Sequence, residues 1–183
     1  MTKHAHPHAL TPIQKSVNSG MKMSTKARAA MRRRERDIYN YYDDMGPGKG
    51  NCTWGPGILA HKHPCTAQEL RLPVSAAAVE AEFARRVTAA EAGIIRHVRN
   101  QQLTQDQFDA LVSLTYNAGV GGASHTFGMI DRGDLAGAAR NIRAMTLTHV
   151  NGKRVVARGL IARRAEESSP FSESANAAAV AKK

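Results

Sequence analysis

Residues 34–57 read RERDIYNYYDDMGPGKGNCTWGPG. Glu35 closes an arginine-rich segment, an aromatic run follows, and Asp43 and Asp44 open a glycine-studded loop that returns through Cys52, Thr53 and Trp54. Upstream, Ser24 is placed to cap a helix through TKARAAMRRRER, with Ala27, Ala30, Met31 and Arg34 on one side. That helix is expected to end near Glu35. Ile38, Tyr39, Tyr41 and Tyr42 favour extended structure, and Gly46, Pro47, Gly48 and Gly50 impose turns. The stretch therefore reads as a helix end feeding a small, irregular β-hairpin lobe.

Downstream the period changes. Ser75 is placed to cap a long helix in which Val79, Phe83, Val87, Ala90, Ile94 and Val98 form one apolar stripe, carrying the chain from the small lobe into a second one. Thr104 with Gln107 makes a capping box, and Phe108, Leu111, Val112 and Leu114 give the next helix its buried side up to a stop at Asn117-Ala118-Gly119. Short helices are expected over 124–132, 134–145 and 159–167, separated by Gly133 and a turn at Asn151-Gly152. The fold class is α+β, mainly helical, with a small lobe at about 36–74 and a helical lobe at about 75–171 joined by the long helix. Residues 1–22 are expected to form a flexible basic leader and 172–183 a disordered tail. No internal repeat is visible.

Composition narrows the partners. The chain has 183 residues, 42% of them hydrophobic, enough to enclose a core. Its formal net charge of +11 implies a polyanionic partner: nucleic acid, an anionic membrane face or an acidic cell-wall polymer. No apolar run approaches the roughly 20 residues of a membrane span, and the opening residues lack the apolar segment of a secretory signal, so synthesis and retention in the cytoplasm are expected. Cys52 and Cys65 are too few for a disulfide scaffold and lack the companions of a structural zinc site. Were they to pair, the short loop closed would be worth on the order of 3 kcal/mol; a reducing compartment would keep them apart. His4, His6 and His8 have no carboxylate or cysteine beside them and make at most an unspecific metal site. No metal or cofactor is expected.

The chemistry of the opening stretch has two readings. A carboxylate at a helix C-terminus faces the negative end of the macrodipole, which pushes its pKa up and suits a general acid. Arg32, on the same helical face, opposes that shift, and a glutamate among arginines is also an ordinary solvated ion pair. Glycosidic cleavage needs one acid to protonate the leaving oxygen and a second carboxylate to activate water or attack carbon. Asp43 or Asp44 could supply the second, and the Thr53 hydroxyl could hold a water. The same residues also read as a polar turn or a weak calcium loop with missing ligands.

A glutamate, eight residues, an aspartate and then Thr-x-Gly-x-Gly resembles the catalytic opening of the phage-type lysozymes of glycoside hydrolase family 24, with Glu35, Asp44 and TWGPG in those places. LTQDQFDALVSLTYNAG at 103–119 is similar to the family's helix ending in an aromatic-Asn-x-Gly turn. NGKRVVARGLIARRAEE at 151–167 resembles its closing Gly-Leu-x-x-Arg-Arg-x-x-Glu segment. The chain departs from the pattern at Arg36, where glycine is common, in the longer stretch from Asp44 to Thr53, and in the three residues that precede His61.

The resemblance implies a two-lobed lysozyme-like fold that hydrolyses the β-1,4 bond between N-acetylmuramic acid and N-acetylglucosamine. By the same carry-over Glu35 is the acid, Asp44 positions or deprotonates water, and Thr53 helps to hold that water. Tyr116 and Asn117 would face the cleft, offering a stacking ring and an amide for N-acetyl groups; a core aromatic followed by a helix-ending Asn is the plainer reading. Arg163 and Arg164 are expected to pair with Glu166 or Glu167 and brace the lobe. An aspartate on a separate lobe element should stand farther from Glu35 than the roughly 5 to 5.5 Å of a retaining enzyme, so inversion is expected.

An endolysin of this kind would be a monomer made in the host cytoplasm, released by a separate holin, and acting on periplasmic peptidoglycan. The basic surplus would hold it on murein and on anionic lipopolysaccharide. A secreted antibacterial toxin with the same domain is the rival context. A nucleic-acid binder using KARAAMRRRER as an arm is the rival class, but no groove-reading module accompanies that arm, and no nucleic-acid partner is expected.

Overall fold

A computed structural model describes residues 15–35, 38–150 and 153–180. Helix α1 (Thr25–Arg34) leads into a sheet of β1 (Tyr41–Asp43), β2 (Cys52–Trp54) and β3 (Ile58–His61), paired antiparallel in that order. A 3-10 turn at Glu69–Arg71 precedes the long helix α2 (Ala76–His97). The helical lobe follows as α3 (Gln105–Asp131), α4 (Leu135–Ala144), a hairpin of β4 (Leu147–Val150) and β5 (Lys153–Val156), and α5 (Arg158–Val180). The mainly helical α+β class, with a small sheet ahead of a long helix, is as expected.

The helix starts are set by side-chain oxygens that take up otherwise orphaned amides. Ser24 accepts from the Ala27 amide, Ser75 from that of Ala78, and Thr104 forms the reciprocal box with Gln107. Asp109 clamps the first of these caps by accepting from both the Ser24 amide and its hydroxyl. The α2 stripe of Val79, Phe83, Val87, Ala90 and Ile94 is buried, and α2 lies along α3. Phe108, Leu111, Leu114, Phe127, Ile130, Ile142 and Phe171 complete a core shared by α2 to α5. Each such side chain contributes about 1.5–3 kcal/mol by leaving water.

Four expectations need correction. The leader does not run free to residue 22: Ser16 and Asn18 are buried, the Ser16 hydroxyl donating to the Val98 carbonyl and Asn18 bridging Val98, Gln101 and Leu103. Polar side chains make this anchor, so no apolar period announces it; His4, His6 and His8 lie outside the described residues. The stop at Asn117-Ala118-Gly119 is a break inside α3, where Gly119 takes φ 75°, and the helix expected at 124–132 is its second half. The β4–β5 hairpin was not expected, because its exposed Leu147, Val155 and Val156 show no alternation toward the core; the Asn151-Gly152 turn itself lies outside the described residues. Helix α5 continues through Pro170 to Val180, past the expected end at 167 and into the stretch expected as a disordered tail, 172–183, whose residues up to 180 are helical. Pro170 removes one helical bond, but buried Phe171 anchors the next turn and the hydroxyls of Ser168, Ser172 and Ser174 bond to helix carbonyls around it.

Candidate active site

Glu35 is the C-cap of α1, its amide bonded to the Met31 carbonyl and its side chain turned inward until only 16% is exposed. Burial raises its pKa above the usual carboxylate range. Three cations oppose that rise: Arg163 first, Arg86 next and Arg32 last. The sequence pointed only to Arg32. The two stronger opponents come from α5 and α2, elements that reach Glu35 only through the tertiary fold.

Arg163 therefore does more than brace the lobe. Its Nη1 lies 3.7 Å from Glu35 Oε1, its Nε donates to Glu167 Oε1 at 3.0 Å, and its Nη2 donates to the Ser113 carbonyl at 3.1 Å. Glu167 is buried and takes further bonds from the Ser113 hydroxyl and from Arg164 Nη1. Arg164, only 2% exposed, also donates to the Met145 carbonyl and to Asn117 Oδ1. The expected pairing with Glu166 or Glu167 falls on Glu167 for both arginines; Glu166 meets Arg34 instead. Charge-assisted hydrogen bonds thus run from Asn117 through Arg164 and Glu167 to Arg163, whose ion pair with Glu35 ends the series.

Asp44 stands just beyond β1, exposed, and Asn51 holds it across the loop. The Asn51 amide donates to Asp44 Oδ1 at 2.8 Å and its side-chain nitrogen to Oδ2 at 2.9 Å. These bonds, the backbone one foremost, hold the Asp44 pKa below the ordinary aspartate range. Gly50 makes the approach feasible: it sits at φ 77°, and a Cβ there would lie 2.1 Å from Asp44 Oδ1. Asp43, the rival, is consumed by the loop, accepting from the Cys65 amide at 2.7 Å and the Gly48 amide at 2.6 Å. Thr53 is 4% exposed, faces Tyr42 in the sheet register, and donates to the Asn51 carbonyl at 3.5 Å. Asn51 is thus the common partner of Asp44 and Thr53.

Arg86 ties the two lobes together. From α2 its Nε donates to Glu82 at 3.1 Å and its Nη2 to the carbonyl of Gly57, in the turn between β2 and β3, at 3.2 Å. Its charge acts on Glu35, on Tyr42 and on Tyr116, while Asp44 acts on Tyr42 in the opposite sense. Glu35 and Asp44 are therefore linked through shared neighbours. An i,i+4 Glu–Arg pair on a helix carries no sign in sequence that it also reaches another lobe.

Tyr116 and Asn117 part company. The Tyr116 ring packs 5.6 Å from Phe83, and its buried hydroxyl sits beside Arg86 without regular hydrogen-bond geometry. Burial, then the Glu35 charge, raises the Tyr116 pKa. Tyr116 lines a cavity of about 190 Å³ with Arg86, Gly119 and Val120. Asn117 is exposed and lines another of about 500 Å³ with Asn141, Met145, Leu147, Arg154 and Arg164. Glu35, Asp44 and Thr53 line neither. The plain core reading fits the Tyr116 ring, while its hydroxyl still shares the electrostatics of Glu35.

The family model for phage lysozyme matches residues 35–167. An endolysin of Acyrthosiphon pisum secondary endosymbiont phage 1 is 38% identical over 71 residues, 38% of this chain and 49% of that protein; the match thus spans about half the relative's length. The solved endolysin of Escherichia coli O157:H7 phage FAHEc1 superposes with a TM-score of 0.66 at 26% identity, covering 83% of this chain and 94% of that one. The muramidase domain of SpmX from Asticaccaulis excentricus gives 0.62 at 26% identity, over 82% and 97% of the two chains.

Proposed function

The chain belongs to the phage lysozyme family, and on that premise we propose that it is a muramidase hydrolysing the β-1,4 bond between N-acetylmuramic acid and N-acetylglucosamine in bacterial peptidoglycan. One observation carries the reading: burial pushes the Glu35 pKa up while hydrogen bonds from Asn51 hold the Asp44 pKa down. Two carboxylates driven apart in this way supply an acid and a base at the same pH.

In the proposed cycle the Glu35 carboxyl gives its proton to the glycosidic oxygen as the bond to the anomeric carbon breaks. Asp44 takes a proton from the water that attacks the same carbon from the opposite face. Thr53, whose hydroxyl already donates to Asn51, offers its remaining lone pairs to that water. Arg163 positions Glu35 and keeps it from swinging into solvent. Asn117, fixed by Arg164, presents its amide to N-acetyl groups, and Tyr116 supports the Glu35 side of the cleft.

The net charge of +11 holds the enzyme on anionic murein and on lipopolysaccharide, an attraction that added salt weakens. Synthesis in the host cytoplasm, passage through a holin, action on periplasmic peptidoglycan and a monomeric state complete the proposal. Among the described residues no helix is long and apolar enough to cross a membrane.

The test is digestion of purified sacculi by wild type and Glu35→Gln, followed by identification of the new reducing end. Muramic acid ends released by wild type alone support the assignment. Glucosamine ends, anhydro-muramic ends or undiminished clearing by Glu35→Gln would each refute it.

A further inference from the structure

At the end of β3 the His61 ring is caught between two acceptors. Its Nδ1 lies 3.0 Å from the His63 carbonyl oxygen and its Nε2 2.8 Å from Glu69 Oε1. A neutral imidazole carries a single N–H. Both partners only accept, so a single ring hydrogen serves one of them and leaves the other facing a bare nitrogen lone pair. The Thr66 amide and hydroxyl both donate to Glu69 Oε2 at 2.7 Å, which leaves Oε1 turned toward the ring. A metal ion on Nε2, with the ring hydrogen on Nδ1, would satisfy both contacts at once.

The surroundings favour a metal under reducing conditions. Cys52, His61 and Glu69 each present one donor atom, all within 4.8 Å of one another, and Cys65 is bonded to Cys52. The outer partners of a metal site are already in place. A ligating histidine ordinarily donates its other N–H to a carbonyl, as Nδ1 is placed to do to His63, and a ligating carboxylate is itself hydrogen-bonded, as Glu69 is by Thr66. The His63 carbonyl also accepts from the Cys52 amide at 2.7 Å, so both ligand segments are fastened to one main-chain atom.

We propose that reduction of the Cys52–Cys65 disulfide turns this corner into a zinc site whose four donors are the Cys52 and Cys65 thiolates, His61 Nε2 and Glu69 Oε1. Two sulfurs, one imidazole and one carboxylate make a tetrahedral set suited to zinc and disfavoured by calcium or magnesium, which prefer oxygen. A dithiol reductant supplies two electrons and two protons; the S–S bond opens to two thiols and the reductant closes its own disulfide. Zinc then releases both thiol protons to solvent and stands between His61 and Glu69. The metal joins β2 to the segment ahead of α2, as the disulfide does, and adds β3 through His61. The sheet keeps a cross-link in either redox state.

The test uses the full chain with His4, His6 and His8 changed to alanine, so that the N-terminal histidines cannot bind metal. The protein is reduced with a phosphine, desalted without oxygen and titrated with Co²⁺, then with Zn²⁺. One equivalent of Co²⁺ should give tetrahedral and thiolate charge-transfer absorption that Zn²⁺ abolishes, and the oxidised protein should show neither. His61→Ala and Glu69→Gln should weaken binding by more than the roughly 10- to 100-fold typical of losing an outer partner. His63→Ala, whose ring stacks on His61 at 3.7 Å without serving as a donor, should retain it. In parallel, Zn²⁺ should raise the melting temperature of reduced but not oxidised protein, a readout that needs no substitution at the site. Failure of reduced protein to bind, equal binding by oxidised protein, or unchanged binding by both ligand variants would overturn the proposal.

Discussion

Arg163 Nη1 stands 3.7 Å from Glu35 Oε1, so α5 reaches back across the fold to hold the carboxylate that ends α1. Arg163 cannot follow Glu35 freely, because Glu167 and Ser113 fix the rest of its guanidinium. Burial raises the Glu35 pKa and this fixed cation restrains the rise. The outcome is a carboxyl adjusted by opposing influences from three helices.

Replacing Glu35 with Gln should lower muramidase activity by at least about 10²- to 10⁴-fold, the usual contribution of a general acid. It should also change stability in a pH-dependent way. The folded state holds the Glu35 proton to higher pH than the unfolded chain does, so wild-type stability falls as pH rises through the folded pKa. Glu35→Gln escapes that loss. Its urea midpoint should match wild type in acid and exceed it at neutral pH and above; equal midpoints throughout would show that Glu35 is not strained by burial.

Arg163→Gln should move the alkaline limb of the activity profile to higher pH. The acid must be protonated, and removing the leading cation lets burial raise its pKa further. Arg32→Gln should move the same limb in the same direction by less, since Arg32 is the weakest of the three opponents. Buried Glu167 keeps Arg164 in the first variant, so the lobe should stay folded. Initial rates across pH at saturating substrate check this, and a limb that stayed put would separate Arg163 from Glu35.

These predictions mark what the sequence could reveal. Glu35, Asp44 and Thr53 lie within nineteen residues, in a motif whose spacing is local, and the caps at Ser24, Ser75 and Thr104 depend only on nearby amides. Asn51, Arg86 and Arg163 act through contacts made only after folding. Asn51 reads as a loop residue, Arg86 as half of an i,i+4 pair and Arg163 as a surface brace. Ser16 and Asn18 carry no signal in the sequence, because hydrogen bonds rather than hydrophobic periodicity hold them. The hairpin at Leu147–Val156 carries none either, because its strands are exposed.

Asn51→Ala should move the acid limb instead. The backbone bond from residue 51 to Asp44 survives, but the side-chain bond at 2.9 Å is lost, so the Asp44 pKa should rise toward the ordinary range. Activity below that limb should fall and kcat at neutral pH should drop by no more than about tenfold, or 1.4 kcal/mol of barrier. Rate profiles of this variant beside Arg163→Gln would assign one limb to each carboxylate; a shift of the alkaline limb in Asn51→Ala would reverse the assignment.

Cleavage should invert the anomeric configuration. Asp44 sits on the β1 side of a loop lengthened before Thr53, separate from the helix end that carries Glu35, and a water needs room between the two carboxylates. Proton NMR of the first-formed anomer decides this, and a retained configuration would make Asp44 a nucleophile.

Gly93→Ala should destabilise the protein by about 1–3 kcal/mol, the usual cost of overpacking. Gly93 is buried where α2 meets α3, and an added Cβ would lie 2.6 Å from Val120 Cγ2. Val120 directly follows the break at Gly119 and is β-branched, so its methyl cannot swing clear without a rotamer change. Trimming it should relieve the clash: in a Val120→Ala background, Gly93→Ala should be neutral or stabilising, because alanine favours helix over glycine by about 1 kcal/mol. Chemical denaturation of the four proteins in this cycle measures the coupling. The position also bears on function, since Val120 shares the Tyr116 and Arg86 cavity. Gly93→Ala alone should therefore lower activity beyond its loss of folded protein, and the double variant should recover both; additive effects would place the tight approach of α2 and α3 elsewhere.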